Sequence, residues 1–211
     1  MTQGAALRPG RIYAIADAEA LAPRGLAEGA FLMAQSGITT IQLRAKHLDD
    51  ATFFDEAERC LRLLEDWQGT LWIDDRVDLA LLLPFAGVHL GQADLPPAAA
   101  RRLLPPAVRI GLSTHNAEQL AEAGRNPAAD WLALGPVFAT RSKRDPDPVV
   151  GLAGVRELRS LSSKPLIAIG GVQRDDVAAV LAAGADSVAV ISAVCAGDIA
   201  LNCRELLRAA A

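Results

Sequence analysis

The sequence has few aromatic residues, which restricts what can fill its core. Only 4% of the 211 residues are aromatic, whereas 51% are hydrophobic, so aliphatic side chains must occupy the interior. This composition is typical of α/β proteins whose parallel strands are buried on both faces. The length suits one domain, and we expect residues 1–211 to form it.

Cysteine is scarce as well. Cys60, Cys195 and Cys203 are scattered along the chain and form no CxxC motif. An odd, unpatterned set argues against a disulfide framework and against a cysteine metal site. We therefore expect reduced thiols and a cytoplasmic protein.

Basic stripes and long apolar runs are also missing. The net charge is −4, and no basic stripe is present that could neutralise the backbone of a nucleic acid. The N-terminal "MTQGAALRPGR" lacks the apolar segment of a signal peptide, and no run of about eighteen uncharged apolar residues occurs. We expect neither nucleic acid nor a membrane as a partner.

Short aliphatic runs recur along the whole chain, each bounded by Gly, Pro or polar residues. Their β-branched and aliphatic content predicts strands. The runs are "RIYAIAD", "TTIQLRA", "LWIDD", "GVHLG", "RIGLS", "WLALGPV", "PLIAIGG" and "SVAVIS".

Helical patterns separate these runs. "DDATFFDEAERCLRLLEDW" places four apolar residues on one predicted face: Phe54, Ala57, Leu61 and Leu64. "HNAEQLAEAG" begins with a capping-box pattern at Asn116 and Gln119, and we expect the helix to stop at Gly124. The alternation of strands and helices predicts an eight-stranded parallel (β/α)8 TIM barrel, with an open doubly wound sheet as the alternative.

A barrel gathers the residues that follow its strands around one mouth, where barrel enzymes carry their chemistry. These residues include cations, carboxylates, hydroxyls and glycines. They are Arg44, Lys46, Asp74, Asp75, Gln92, Asp94, Ser113, His115, Thr140, Ser142, Lys143, Gly170, Gly171 and Ser192.

Each charged group has two interpretations from the residues alone. Asp75 and Asp94 end neighbouring strands and could together hold a cation such as Mg²⁺, or each could cap the following helix. Arg44 and Lys46 point to the same side and could bind phosphate, or they could form a solvated basic strand end.

The three histidines differ in their surroundings. His89 sits inside an apolar strand and is expected in the barrel interior, and His47 is expected at the surface. His115 follows a strand and could act as an acid or base in an isomerase.

Seven segments together resemble the thiamine phosphate synthase (thiamine-phosphate pyrophosphorylase) family: "QLRAK", "DDRVDLAL", "GVHLGQADL", "IGLSTHN", "LGPVFATRSK", "IAIGGV" and "VAVIS". The resemblance implies a barrel enzyme of thiamine biosynthesis. It would couple 4-amino-2-methyl-5-hydroxymethylpyrimidine diphosphate to thiazole phosphate (carboxythiazole phosphate), giving thiamine phosphate and diphosphate. A sister family on the same fold, thiazole tautomerase, only isomerises the thiazole phosphate.

The resemblance also implies roles for individual residues. Asp75 and Asp94 would bind Mg²⁺, while Arg44, Lys46 and Lys143 would act on the diphosphate as the catalytic groups. Ser113 would contact the pyrimidine. The implied substrate-binding set is Gln42, Leu43, Arg44, Ala45, Lys46, Asp74, Ser113, Thr140, Arg141, Ser142, Lys143, Gly171, Ile191 and Ser192, of which Thr140 to Ser142 face the thiazole and the last three hold its phosphate.

The sequence departs from the family pattern at two positions. Asp74 stands where the family usually has asparagine, and a carboxylate repels diphosphate where an amide would donate a hydrogen bond. Ala45 replaces a commonly acidic residue but is expected to point away from the mouth. Two alternatives therefore stay open: a tautomerase that uses His115, and a non-catalytic barrel that binds a thiamine precursor. The expected partners are the small-molecule substrates, and a homodimer is one possible assembly.

Overall fold

Eight parallel strands close into a barrel in the computed structural model, which describes residues 8–140 and 147–211. Each strand pairs with the next along the chain, and the last pairs with the first, which confirms the TIM-barrel prediction and makes the open-sheet alternative wrong. The strands are Ile12–Asp17 (β1), Thr40–Arg44 (β2), Thr70–Asp74 (β3), Gly87–Leu90 (β4), Arg109–Thr114 (β5), Trp131–Leu134 (β6), Leu166–Ile169 (β7) and Ser187–Val190 (β8).

Helices surround the barrel. Within the described residues they are Leu26–Gln35 (α1), Asp50–Leu63 (α2), Val77–Leu82 (α3), Pro97–Leu103 (α4), Ala117–Arg125 (α5), Gly151–Leu158 (α6), Val177–Ala182 (α7), Ser192–Cys195 (α8) and Ile199–Ala209 (α9). Short 3₁₀ turns cover Arg159–Leu161 and Arg174–Asp176. None of the helices in this part of the chain is both long and apolar enough to cross a membrane.

The predicted strand runs extend past the observed strand ends on β6, β7 and β8. The strand β6 stops at Leu134, and "GPV" then leaves the ladder. Gly170 and Gly171 follow β7 with φ angles of 98° and 69°, which lie outside the strand region. Glycine tolerates these angles, so the chain turns there and brings the following residues over the barrel mouth.

The helices confirm most of the sequence prediction and correct it in two details. The predicted apolar residues of α2 all pack on the core, with Ala57 and Leu64 buried and Phe54 and Leu61 half-buried against it. Phe53 and Cys60 are buried as well, so the apolar face is wider than predicted. The side chain of Asn116 caps α5 by accepting from the Gln119 N–H at 2.9 Å. That helix runs to Arg125, one residue past the expected stop at Gly124.

Three aromatic rings fill the lower part of the barrel interior. Trp72 and Trp131 stack with their centroids 4.1 Å apart, and the ring of Tyr13 meets both edge-on. A Cβ added at Gly87 would lie 2.5 Å from the Trp72 ring, so glycine at this position is what admits the indole. The cluster closes the barrel from below and leaves the upper part open to the mouth.

The opposite faces of the strands pack against the helices and form the larger hydrophobic core. Leu43 belongs to this outer core and is fully buried. The three cysteines are free and buried, as the sequence predicts.

Candidate active site

A cavity of about 520 Å³ opens at the C-terminal ends of the strands. Alternation along each strand directs every second side chain into it. One wall is polar and comes from β2 to β5, with Gln42, Arg44, Asp74, His89 and Ser113. The other wall is apolar and comes from β1 and β6 to β8, with Ile15, Ala133, Ile167, Ile169 and Ala189. The cavity can therefore hold a ligand that carries charge at one side and a flat apolar ring at the other.

The polar wall is dominated by ion pairs. The Nζ of Lys46 lies 3.2 Å from a carboxylate oxygen of Asp74 and also donates to Asp75. The Nε of Arg44 lies 3.5 Å from the same oxygen of Asp74, and its Nη1 pairs with Asp17. Two cations and three carboxylates thus lie in one network at the mouth.

Asp74 uses both carboxylate oxygens in this network. One oxygen faces Lys46 and Arg44, and the other accepts from Gln42 Nε2 at 3.4 Å. Burial raises the pKa of Asp74, while Lys46 and Arg44 act in the opposite direction. The side chain is thus a half-buried carboxylate that pairs with two cations next to the cavity.

Asp75 adopts an unusual backbone conformation. Its φ angle is 61°, and among the described residues it is the only non-glycine residue with a positive φ. Such angles are uncommon outside glycine and often occur where a structure fixes a functional side chain. Its N–H donates to the carbonyl oxygen of His89 at 2.8 Å, which ties the loop after β3 to β4.

The helix-capping interpretation of the aspartates is wrong. The N-cap of α3 is Arg76 and that of α4 is Pro96, and neither helix has a side-chain cap. Asp94 instead accepts from the N–H of Gly91 at 2.6 Å, inside its own loop. The carboxylates of Asp75 and Asp94 are consequently available to the cavity rather than to helix ends.

The pKa values of Asp75 and Lys46 are both shifted, in part because several carboxylates lie close together. Burial raises the pKa of Asp75 to about 6, and the neighbouring Asp74 and a hydrogen-bonding contact with Asp94 act in the same direction. Burial lowers the pKa of Lys46, but Asp74 and Asp75 together outweigh burial and the pKa is raised. The cluster favours any further positive charge that comes close.

The donor set fits a magnesium ion that keeps much of its own coordination shell. Among the described residues, no group of three or more His, Cys, Asp and Glu side chains is arranged to hold a metal. Magnesium, however, is commonly held by one or two carboxylates, with phosphate oxygens and water completing the octahedron. Asp75 and Asp94, which contact each other and face the cavity, supply such a pair.

A neutral histidine supports the middle of the polar wall. His89 is buried, and its Nε2 lies 2.9 Å from the hydroxyl oxygen of Ser113. Burial lowers the pKa of His89 to about 4, so the ring is uncharged near neutral pH. The amide of Gln92 donates to the Ser113 carbonyl oxygen at 2.6 Å, which fixes the same residue from above. His89 is the interior histidine that the sequence predicts, and His47 is highly exposed, as expected.

His115 also reaches the cavity. Its Nδ1 lies 2.7 Å from the carbonyl oxygen of Gly135, and a carbonyl oxygen can only accept, so Nδ1 carries a proton. The carboxylate of Asp147 lies 3.5 Å from the same nitrogen. The backbone N–H of His115 donates to the side-chain oxygen of Gln119 at 2.8 Å. The ring is held in one orientation at the mouth.

The loops after β7 and β8 complete the far side of the cavity. A Cβ at Gly171 would lie 2.4 Å from the carbonyl oxygen of Ala139, so this glycine is required for close packing as well as for its φ angle. Ile191 and Ser192 line the cavity beside it. In the strand order of the barrel, β7 and β8 lie opposite β3 and β4.

Most predicted site residues line this one cavity: Gln42, Arg44, Lys46, Asp74, Asp75, Asp94, Ser113, Thr140, Gly171, Ile191 and Ser192. The side chains of Leu43 and Ala45 pack into the outer core, so any substrate contact there involves the main chain. Arg141, Ser142 and Lys143 lie outside the described residues.

Sequence reasoning missed several residues of the cavity. Five residues line it without having been predicted as site residues: Tyr13, Ile15, Gln119, Asp147 and Ile167. Asp17 was missed too, although it contacts Arg44 and ends "YAIAD", a position equivalent to that of the other strand-end residues. The alternation of "YAIAD" was the signal that could have identified it.

A family model described as thiamine monophosphate synthase matches residues 12–194. The thiamine-phosphate synthase of Koribacter versatilis is 45% identical over 186 residues, covering 86% of this chain and 87% of the relative. That of Albidiferax ferrireducens is 41% identical over 203 residues, covering 94% of this chain and 92% of the relative. Among solved structures, the thiamine phosphate pyrophosphorylase of Pyrococcus furiosus aligns with a TM-score of 0.84 at 32% identity and covers 95% of both chains.

Proposed function

Because the chain belongs to the thiamine monophosphate synthase family, we propose that it is the enzyme that joins the pyrimidine and thiazole halves of thiamine phosphate. The substrates would be 4-amino-2-methyl-5-hydroxymethylpyrimidine diphosphate and thiazole phosphate, and the products thiamine phosphate and diphosphate. One observation carries this reaction: a single cavity joins a cation and carboxylate cluster to an apolar wall that ends at Gly171 and Ser192.

The diphosphate would bind at the polar wall. Arg44 offers a planar set of donors and Lys46 a mobile point charge, and both are already held at the cavity by Asp74. Lys143 is proposed as a third cation on the strength of the family resemblance. The carboxylates of Asp75 and Asp94 would hold Mg²⁺, which neutralises diphosphate charge when bound.

The pyrimidine would lie above Ser113. Because His89 is neutral and hydrogen-bonded to the Ser113 hydroxyl, the hydroxyl is kept in a defined orientation. The thiazole would lie against the apolar wall, with its phosphate near Gly171, Ile191 and Ser192. This arrangement brings the thiazole nitrogen towards the pyrimidine methylene carbon, which is the positional part of the catalysis.

The chemical step needs no nucleophile from the protein. The bond between the pyrimidine methylene carbon and the diphosphate oxygen breaks, and its electron pair leaves with the diphosphate. The thiazole nitrogen then gives its lone pair to form the new C–N bond. Arg44, Lys46 and Lys143 would stabilise the charge that develops on the leaving group, and such preorganised charges often provide the largest part of rate acceleration.

The remaining assignments complete the proposal. We propose that residues 1–211 act as one domain and that the protein works in the cytoplasm, since the free buried cysteines suit a reducing compartment. A homodimer stays a prediction.

One observation favours a second candidate, thiazole tautomerase. His115 lines the cavity in a fixed orientation, with Asp147 beside it, and a histidine so held could move a proton on a thiazole. The cation and carboxylate cluster weighs against this candidate, because an isomerisation has no diphosphate to stabilise.

The deciding experiment incubates the protein with both precursors, with and without Mg²⁺, and analyses the products. The proposal predicts thiamine phosphate and an equal amount of diphosphate when Mg²⁺ is present. Isomerised thiazole phosphate without coupling would identify a tautomerase. Binding of either precursor without any turnover would identify a non-catalytic binding protein.

A further inference from the structure

Asp17 occupies a buried position at the end of β1, directly beside the cation pair. Asp17 is the register partner of Arg44 in the pairing of β1 with β2, and only 5% of its surface is exposed. Alternation along β1 puts Asp17 on the same face as Tyr13 and Ile15, which line the cavity. A buried carboxylate is costly unless it is paired, so its partners identify its role.

Both oxygens of Asp17 are engaged. One accepts from the N–H of Ala20 at 3.0 Å, which fixes the carboxylate to the main chain of the β1–α1 loop. The other pairs with Nη1 of Arg44. The backbone of the same two strands is joined again just beyond, where the N–H of Ala18 donates to the Arg44 carbonyl oxygen at 2.8 Å. Asp17 is therefore an acceptor fixed to the main chain and placed against one end of the Arg44 guanidinium.

Arg44 has one other carboxylate within reach among the described residues. Its Nε lies 3.5 Å from Asp74, which also binds Lys46. Without Asp17, the guanidinium would have Asp74 as its remaining anionic partner and would be drawn towards it. Lys46 would keep Asp75 as a second partner. Arg44 would have only Asp74, which it shares with Lys46, and its Nη1 would no longer be fixed.

We propose that Asp17 is a positioning residue for diphosphate binding: it holds Nη1 of Arg44 so that the other guanidinium donors face the cavity. The proposal rests on the proposed function, in which Arg44 binds the diphosphate of the pyrimidine substrate. Asp17 touches no substrate itself and acts through Arg44.

A double-mutant cycle tests this role, because a purely structural residue would act equally in both backgrounds. The four proteins are the wild type, Asp17→Asn, Arg44→Gln and the double variant. Asparagine keeps a side-chain oxygen for Ala20 while removing the charge that Arg44 needs. Should Asp17→Asn fail to fold, Asp17→Ser keeps the same capping ability. The matched control is Glu19→Gln, which removes a well-exposed carboxylate from the same loop.

The measurements are the Kd for inorganic diphosphate with Mg²⁺, by calorimetry, and the KM of each substrate. Asp17→Asn should raise the Kd for diphosphate and the KM of the pyrimidine diphosphate about tenfold, the size of one charge-assisted hydrogen bond. The KM of thiazole phosphate should stay within about twofold, as should every constant of Glu19→Gln. When Asp17→Asn is added to Arg44→Gln, the Kd for diphosphate and the KM of the pyrimidine diphosphate should change by less than about twofold.

An equal effect of Asp17→Asn in both backgrounds, or none in either, would overturn the positioning role. So would a wild type that binds no diphosphate. The two proposals fail separately, since a wild type that binds diphosphate with the expected coupling but makes no thiamine phosphate contradicts only the proposed function.

Discussion

The ammonium of Lys46 bridges two adjacent carboxylates, lying 3.2 Å from Asp74 and donating to Asp75. This contact explains how two neighbouring aspartates are tolerated at the end of a buried strand, because a cation lies between them. It also shows that Asp74 binds the same cations that a diphosphate would need. The substrate must therefore compete with Asp74 for Lys46 and Arg44.

Replacing Asp74 with asparagine should strengthen binding of the pyrimidine diphosphate. The variant loses a negative charge beside the diphosphate and gains an amide donor of the same size. We expect the affinity to rise about tenfold, whereas affinity for thiazole phosphate should hardly change. Calorimetric titration with each precursor separately, in Mg²⁺, measures both.

The control for this substitution is Asp78→Asn. Asp78 pairs with Arg76 at 2.6 Å in an exposed site outside the cavity, so neither affinity should change. If Asp74→Asn instead abolishes activity, Asp74 is itself a metal ligand or a proton-transfer group. Competition between Asp74 and the diphosphate for Lys46 and Arg44 would then be the wrong description.

Asp94→Ala should strongly depress turnover while the fold stays intact. The variant loses one of the two proposed magnesium ligands and leaves the N–H of Gly91 without its side-chain acceptor, which costs about 1 kcal/mol of stability. Activity measured against Mg²⁺ concentration, together with a melting curve, separates the two effects. Asp66→Ala, at an exposed position, serves as the control. Full activity of Asp94→Ala, with a wild type indifferent to chelator, would contradict the metal assignment.

His89 should make stability depend on pH. Burial lowers its pKa from 6.5 to about 4, so between these values the unfolded chain binds a proton that the folded protein does not. Stability from this group is present above pH 6.5 and is lost as the pH falls towards 4, by at most about 3 kcal/mol. Asp75 acts in the opposite direction, because its raised pKa lets the folded state take up a proton first below about pH 6.

Comparison with His89→Gln isolates the histidine contribution. Urea unfolding from pH 4 to 7 should show the wild type losing more stability than the variant as the pH falls. Parallel curves for the two proteins would mean that His89 takes up a proton as readily in the folded as in the unfolded state, and its lowered pKa would be wrong.

Gly87→Ala should destabilise the barrel from its interior. The new Cβ would lie 2.5 Å from the Trp72 ring, which is confined by its stack with Trp131. Such overpacking costs about 1–3 kcal/mol, measurable by urea unfolding. Gly154→Ala in α6 is the comparison: its Cβ would lie 2.6 Å from a γ-carbon of Val150, but that side chain is half-buried rather than enclosed, and alanine favours a helix interior. Equal stability of the two variants would contradict the tight packing of Trp72 between Gly87 and Trp131.

The strands could be predicted because each is a short aliphatic run between residues that end strands. The cavity followed from them, since parallel strands of a barrel all end at one face and their terminal polar residues must meet there. The same reasoning predicts from the sequence that Arg44, Lys46, Asp75 and Asp94 lie together, and they line one cavity.

Other features depend on contacts that no local pattern contains. The pairing of Asp17 with Arg44 follows from the β1–β2 register, and the stack of Trp72 on Trp131 depends on Gly87, where a Cβ would meet the Trp72 ring. The core face of α2 is wider than the periodicity predicts, because Phe53 and Cys60 are buried beside the predicted Phe54 and Ala57. Aspartate is also a common helix cap, so only the backbone at Asp75 and the Asp94–Gly91 bond could exclude that role.

The most direct test of the central claim is the stoichiometry of coupling at the Lys46 site. Thiamine phosphate and inorganic diphosphate are measured together, in Mg²⁺ and with both precursors, for the wild type and for Lys46→Gln. The account predicts one diphosphate per thiamine phosphate in the wild type and a rate reduced about 10²–10³-fold in the variant, as for loss of one preorganised charge. A wild type that forms no thiamine phosphate, or a Lys46→Gln variant with an unchanged rate, would contradict it.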